Sequence, residues 1–163
     1  MGCGKTTAGK RLALKLGYEF IDLDHVIEAI EQRTIAEIFE QEGQNVFRLI
    51  ERRELHNTFG LTNTIVSTGG GAPCFFDNIE QMNRHGKTVY IQLTPKTLVD
   101  RLKSAKDERP LIKGKTNEEL FAFIQNALAD REPFYTKAHY IINGIDISAE
   151  IIINTLKINE SKT

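Results

Sequence analysis

Apolar residues recur at helical spacing just behind the first polar cluster of the chain. Leu12, Ala13 and Leu16 follow Lys5-Thr6-Thr7, and Gly17 ends the run as a C-terminal cap does, so the pattern predicts a first helix. "YEFIDLD" (18–24) reads as a short strand ending in two aspartates. "TIAE" (34–37) is a capping box that opens a short helix, which Gly43 closes. "VFRLIERRELHNTF" (46–59) reads as a long amphipathic helix, and "NTIVSTGGG" (63–71) as a buried strand running into three glycines. "DNIE" (77–80) caps a further helix before the strand "KTVYIQL" (87–93), and Thr94-Pro95 starts another helix with proline at its first position. A polar loop, about 104–116, has the length of a mobile cover. A helix capped by Thr116, the strand "HYIIN" (139–143) and an apolar last helix over 151–158 complete the series.

Strands alternate with helices, and the strands are continuous apolar runs. That combination predicts an α/β fold with a mostly parallel sheet covered on both faces. In such sheets ligands sit at the carboxyl ends of the strands. The informative polar residues fall there: Asp22 and Asp24, then Ser67 to Gly71.

The 163 residues fit a single domain over 1–163 with a core of its own. A net charge of −1 gives no basic excess for nucleic acid or an anionic membrane, and no apolar run approaches a membrane span. The polar Gly/Lys/Thr opening does not read as a signal peptide. Two isolated cysteines, Cys3 and Cys74, do not form a metal or disulfide framework and fit a reducing cytoplasm. Cys3 falls at a helix N-terminus, and the plainer reading is a small residue in a tight loop.

Gly4-Lys5-Thr6 is the second half of G-x-x-x-x-G-K-[ST], the loop whose backbone N–H groups wrap phosphate oxygens. In that pattern the lysine reaches the β/γ-phosphates and the hydroxyl of Thr6 coordinates Mg²⁺. Asp22 and Asp24, two apart on an extended segment, point the same way. One can hold Mg²⁺ through water while the other orients a substrate hydroxyl; helix capping is the competing role for Asp24. Arg52 and Arg53 read as surface residues, with Glu51 and Glu54 available as salt-bridge partners. Three successive glycines at 69–71 make sense where backbone must approach a ligand closely. Arg109 in the cover loop could offset charge on a transferring phosphate. Arg131 stands at the end of a helix with Pro133 after it, where a cation is favourable in any case.

Together these residues resemble shikimate kinase, a small P-loop kinase of the nucleoside-monophosphate-kinase type. The matching pieces are Gly2-Cys3-Gly4-Lys5-Thr6-Thr7, "IDLD" (21–24), "FRLIE" (47–51), "STGGGA" (67–72), "RPL" (109–111) and "REPFY" (131–135), in order across essentially the whole chain. The resemblance implies a three-layer α/β/α, P-loop NTPase-like fold. It also implies transfer of the ATP γ-phosphoryl group to the 3-hydroxyl of shikimate, on the route to chorismate and aromatic amino acids. Gly2, Cys3, Gly4, Lys5, Thr6, Thr7, Arg101 and Arg109 would then serve ATP, with Arg101 near the adenine and Arg109 the lid arginine. Thr6, Asp22 and Ser67 would support Mg²⁺. Asp24 would bind the substrate hydroxyls, Arg48 and Arg131 its carboxylate, and Gly69, Gly70 and Gly71 would bring backbone to the substrate. The substrate-binding segment would span about 22–60. Partners would be shikimate and ATP alone, with no nucleic acid or membrane, in a cytoplasmic monomer.

The first glycine of the loop pattern would lie two positions before Met1. In the family a central strand precedes it, and without that strand two internal edges and a groove in the core are expected. The expectation is that Met1 is an internal methionine and the native start lies about ten residues earlier. Two other readings compete: a related kinase such as gluconate kinase, and a catalytically weak nucleotide-binding module.

Overall fold

The computed structural model describes residues 2–104, 116–144 and 147–158. Its elements alternate as the apolar pattern predicts. Helix α1 (Lys5–Leu16) leads to strand β1 (Glu19–Asp22), then α2 (Leu23–Glu31) and the long α3 (Ile35–Asn57). Strand β2 (Thr64–Ser67) runs through the glycines and a short 3₁₀ turn at Ala72–Cys74 into α4 (Asn78–His85). Strand β3 (Val89–Gln92), α5 (Pro95–Ser104), α6 (Asn117–Tyr135), β4 (Tyr140–Asn143) and α7 (Ala149–Leu156) follow.

Local chemistry accounts for the boundaries. Gly17 stops α1 in the left-handed region, at φ 67°. Thr34 and Thr116 each open a helix with a reciprocal capping box, to Glu37 and Glu119. Gly43, at φ 81° and ψ 174°, breaks α3 into two arms, so the short helix it was expected to close does end there.

Four expectations need correction. Asp22 is the last residue of β1 and the N-cap of α2, accepting from the Asp24 N–H at 3.2 Å, so Asp24 sits in the first helical turn rather than on extended chain. The cap is therefore Asp22, not Asp24. Asp77 precedes α4 without a side-chain cap bond, because its carboxylate takes Arg52 and Gln81 instead. Helix α6 continues through Pro133 to Tyr135, so Arg131 lies within it rather than at its end. Pro133 has no N–H to give to the Ala129 carbonyl, so α6 lacks one helical bond two residues before its end.

The strands pair in parallel but in two separate sheets: β1 with β2, Glu19 opposite Thr64 through Asp22 opposite Ser67, and β3 with β4. Between them lies a cavity of about 380 Å³, lined by Ile65 and Val66 of β2, Val89 and Ile91 of β3, Leu12 of α1 and Ile152 of α7, among others. It explains why β2 and β3 are mostly half-buried where full burial was expected.

Three apolar clusters hold the helices. Leu12, Leu16, Ile142, Ile152 and Ile153 join α1 to α7 and β4. Leu23, Ile27, Ile38, Phe47 and Leu55 join α2 to α3. Leu98, Val99, Leu102, Leu120 and Ile124 join α5 to α6. The arrangement brings the carboxyl ends of β1 and β2 and the start of α1 to one place.

Candidate active site

The site begins at the turn into α1. Gly2 and Gly4 hold φ of 73° and 85°, a conformation that glycine adopts without penalty. A side chain on Gly4 would meet Arg101 Nη1 at 3.1 Å, and one on Gly2 would meet Leu102 at 3.1 Å. Residues Gly2 to Thr7, with Arg101 and Leu102, line a hollow of about 230 Å³ at the helix N-terminus. Peptide N–H groups and a positive helix end make this an anion site. Arg101, expected near an adenine, donates to the Cys3 carbonyl at 3.0 Å and so lies against the phosphate loop.

Next to the loop, the Thr6 hydroxyl donates to Asp22 Oδ2 at 3.0 Å. Ser67, opposite Asp22 in the sheet register, is buried, and its hydroxyl has no hydrogen-bond partner. No cluster of three His, Cys, Asp or Glu able to hold a metal exists among the described residues. The donor set of one hydroxyl, one carboxylate and one orphaned buried hydroxyl fits Mg²⁺, which keeps several waters and takes its other ligands from substrate phosphates.

The second half of the site surrounds the glycine loop. A Cβ on Gly69 would stand 2.9 Å from both Asp24 Oδ1 and Glu51 Oε1. A Cβ on Gly71 would stand 2.5 Å from Arg48 Nη2. A side chain at either position would have to displace the charged ends of Asp24 and Glu51 or of Arg48. Arg48 donates to Glu51 at 2.5 Å, one helical turn along α3, and its guanidinium stacks over the Phe75 ring at 4.3 Å. Arg131 lines the main cavity together with Lys5, Ser67, Gly69, Gly70 and Tyr135. Cavity and phosphate hollow share Cys3 and Lys5.

Electrostatics link these groups. Burial pushes the Asp24 carboxyl above its ordinary value, and the Lys5 charge opposes that rise. Burial likewise raises Glu51, with Arg48 and Arg131 pulling the other way and Asp24 adding to it. Asp24, Glu51, Arg48 and Arg131 are thus near neighbours: two carboxylates and two guanidiniums around one loop.

The structure therefore assembles all the expected site residues that it describes. Arg109 lies outside the described residues, as do 105–115 of the expected lid. Arg52 pairs with Asp77 and Arg53 with Glu31 and Glu54; of the two expected partners only Glu54 serves them, because Glu51 is taken by Arg48. Glu51 is the residue that the sequence reading undervalued: it is 1% exposed. Its place was legible, because 47, 50, 51, 54 and 55 form one i, i+3, i+4, i+7, i+8 stripe, on which Glu51 lies beside Phe47, Ile50 and Leu55.

Comparison with known proteins agrees with this geometry. The shikimate kinase family model matches residues 1–159. A shikimate kinase from Bacteroides thetaiotaomicron is 50% identical over 147 residues, covering 90% of this chain and 84% of the relative. A crystal structure of shikimate kinase from the same species superposes with a TM-score of 0.94 at 45% identity, over 97% of this chain and 94% of that one. The shikimate kinase of Acinetobacter baumannii, solved in complex with shikimate, gives a TM-score of 0.82 at 34% identity, over 99% and 91% of the two chains.

Proposed function

The chain belongs to the shikimate kinase family, and from that premise we propose how its residues divide the phosphorylation of shikimate by ATP. The fold is the P-loop NTPase-like α/β type and the activity is that of a kinase. The observation that carries the assignment of roles is the convergence of Asp24, Arg48, Arg131 and three glycines beside the phosphate loop.

Phosphoryl transfer passes through a loose, anionic transition state, so positioning and cations dominate. Gly2 to Thr7 cradle the ATP phosphates, and Lys5 neutralises charge at the β/γ end. Arg101 closes that side of the loop. Thr6, Asp22 and Ser67 hold Mg²⁺, directly or through water. Bound there, the ion would supply positive charge against the phosphate oxygens.

Asp24 accepts a hydrogen bond from the shikimate 3-hydroxyl and orients it. Burial makes its carboxylate a better proton acceptor than a solvated aspartate, and proton loss can come late in the transfer. Arg48 and Arg131 clamp the substrate carboxylate with planar, charged forks. Gly69 to Gly71 bring backbone to the substrate with no side chain in the way. The substrate-binding segment is 22–60, and Arg109 is the lid arginine that meets the transferring phosphate.

The reading also includes action as a cytoplasmic monomer. Two free cysteines are compatible with a reducing compartment.

Titration calorimetry with shikimate and with its methyl ester tests the carboxylate clamp. Two charge-assisted pairs predict at least about tenfold weaker binding of the ester. Equal affinities would remove Arg48 and Arg131 from the substrate site.

A further inference from the structure

Arg131 and Tyr135 are four residues apart on α6, so they project from the same helical face. The Tyr135 hydroxyl donates to the Gly70 carbonyl at 2.5 Å, reaching across 65 positions of sequence. Its ring rests against Tyr90 of β3, with centroids 4.8 Å apart. The next residue after Arg131 is equally fixed: Glu132 accepts from the Tyr90 hydroxyl at 3.0 Å and from Gln92 at 2.8 Å. The last two turns of α6 are therefore tied to β3 at one side and to the glycine loop at the other.

The loop has two backbone ties, Ala72 N–H to the Gly69 carbonyl at 3.2 Å and Cys74 N–H to the Gly71 carbonyl at 2.9 Å, and Tyr135 adds a side-chain tie at Gly70 between them. Three successive glycines have no side chains to anchor them and wide backbone freedom. A peptide unit is planar, and the bond following Gly70 is trans. Holding the Gly70 carbonyl thus turns the Gly71 N–H the opposite way and fixes the plane between them. Gly71 in turn lies against the Arg48 guanidinium. Burial raises the Tyr135 hydroxyl above its usual pKa, and the Arg131 charge opposes that, which places the guanidinium near the same oxygen.

We propose that Tyr135 is a positioning residue for the reaction, whose hydroxyl locks the glycine loop in register with Arg131 so that loop, Arg48 and Arg131 meet the substrate as one preformed surface. The proposal rests on the substrate reading above. Tyr135 does not itself touch the reacting atoms. Its effect is transmitted through the Gly70–Gly71 peptide, so it governs shikimate and leaves ATP alone.

The test is Tyr135→Phe, which removes one oxygen and keeps the ring on Tyr90. Loss of one buried hydrogen bond at a loop predicts about a five- to tenfold rise in KM for shikimate, with KM for ATP unchanged. Amide hydrogen exchange at Gly70 and Gly71 should accelerate in the same variant while α1 exchange stays as it was. Tyr90→Phe, which breaks only the Glu132 bond, should leave the shikimate KM unchanged. Equal rises in both KM values, or unchanged exchange in the glycine loop, would overturn the proposal. Faster exchange with an unchanged shikimate KM would overturn it too. Absence of shikimate-dependent turnover in the unmodified chain would count against the substrate assignment instead, and the exchange rates would still decide what Tyr135 does.

Discussion

Gly71 lies beneath the Arg48 guanidinium, so that a methyl group there would stand 2.5 Å from Nη2 and 2.7 Å from Nη1. The Gly71 backbone, at φ −88°, suits any residue, so the need for glycine is steric. Arg48 has little freedom to move aside, being held by Glu51 and stacked on Phe75. Gly71→Ala should therefore displace the arginine and raise the shikimate KM by about tenfold, the loss of roughly 1.4 kcal/mol of substrate contact. ATP KM should not change. Steady-state kinetics with each substrate varied in turn checks both statements.

Glu51 sets the same arginine from the other side. With one side-chain partner at 1% exposure and the other at 13%, the pair is largely removed from water. Breaking such a pair by deleting one member costs about 3 kcal/mol or more, since a charge is left without its counter-ion. Glu51→Ala should lower the midpoint of thermal unfolding measurably and weaken shikimate binding. Glu51→Gln, which keeps the shape and one acceptor oxygen, should recover part of each. Calorimetric unfolding and equilibrium binding on the two variants give the comparison.

Much of this was legible in the sequence. The helix starts at Lys5, Ile35 and Asn117 follow from a glycine loop and two capping boxes, which are local signals. The phosphate-loop residues were readable from a motif at fixed offsets, whereas Arg48, Arg131 and Gly70 were singled out for the substrate through the family resemblance. Less legible were features set by neighbours distant in sequence. Asp22 caps α2 because β1 ends at Asp22, two residues earlier than the strand expected over 18–24. Asp77 gives up its capping role to Arg52, 25 positions away. Tyr135 finds Gly70 only after α6 is docked. The half-buried strands depend on the groove between the two sheets, which no single segment encodes.

Asp24 ties activity to a cost in stability. Its carboxyl is raised above 3.8, with burial the largest cause. A raised value means the unfolded chain ionises first as pH increases. Stability linked to this group is thus present below 3.8 and lost as pH rises through the folded value. Asp24→Asn should unfold at a higher temperature than the parent at pH 7.5, because the substitution removes a carboxylate whose ionised form burial disfavours. The difference should vanish near pH 3. Turnover should fall at pH 7.5 despite the added stability. Scanning calorimetry at the two pH values reads the sign directly.

The groove between β2 and β3 carries its own prediction. A cavity of about 380 Å³ is large by protein standards. Its walls are largely aliphatic, so the folded protein should bind an apolar fluorescent dye with a blue-shifted, enhanced emission at neutral pH. Near-UV circular dichroism should stay native as the dye binds. No enhancement with the native spectrum intact would mean that the groove closes in solution.

ADP release with Mg-ATP, measured with shikimate and with gluconate in parallel, tests the central claim most directly. The proposed roles of Asp24, Arg48 and Arg131 predict turnover that depends on shikimate and is absent with gluconate. Turnover with gluconate, or ADP release indifferent to either acid, would contradict it.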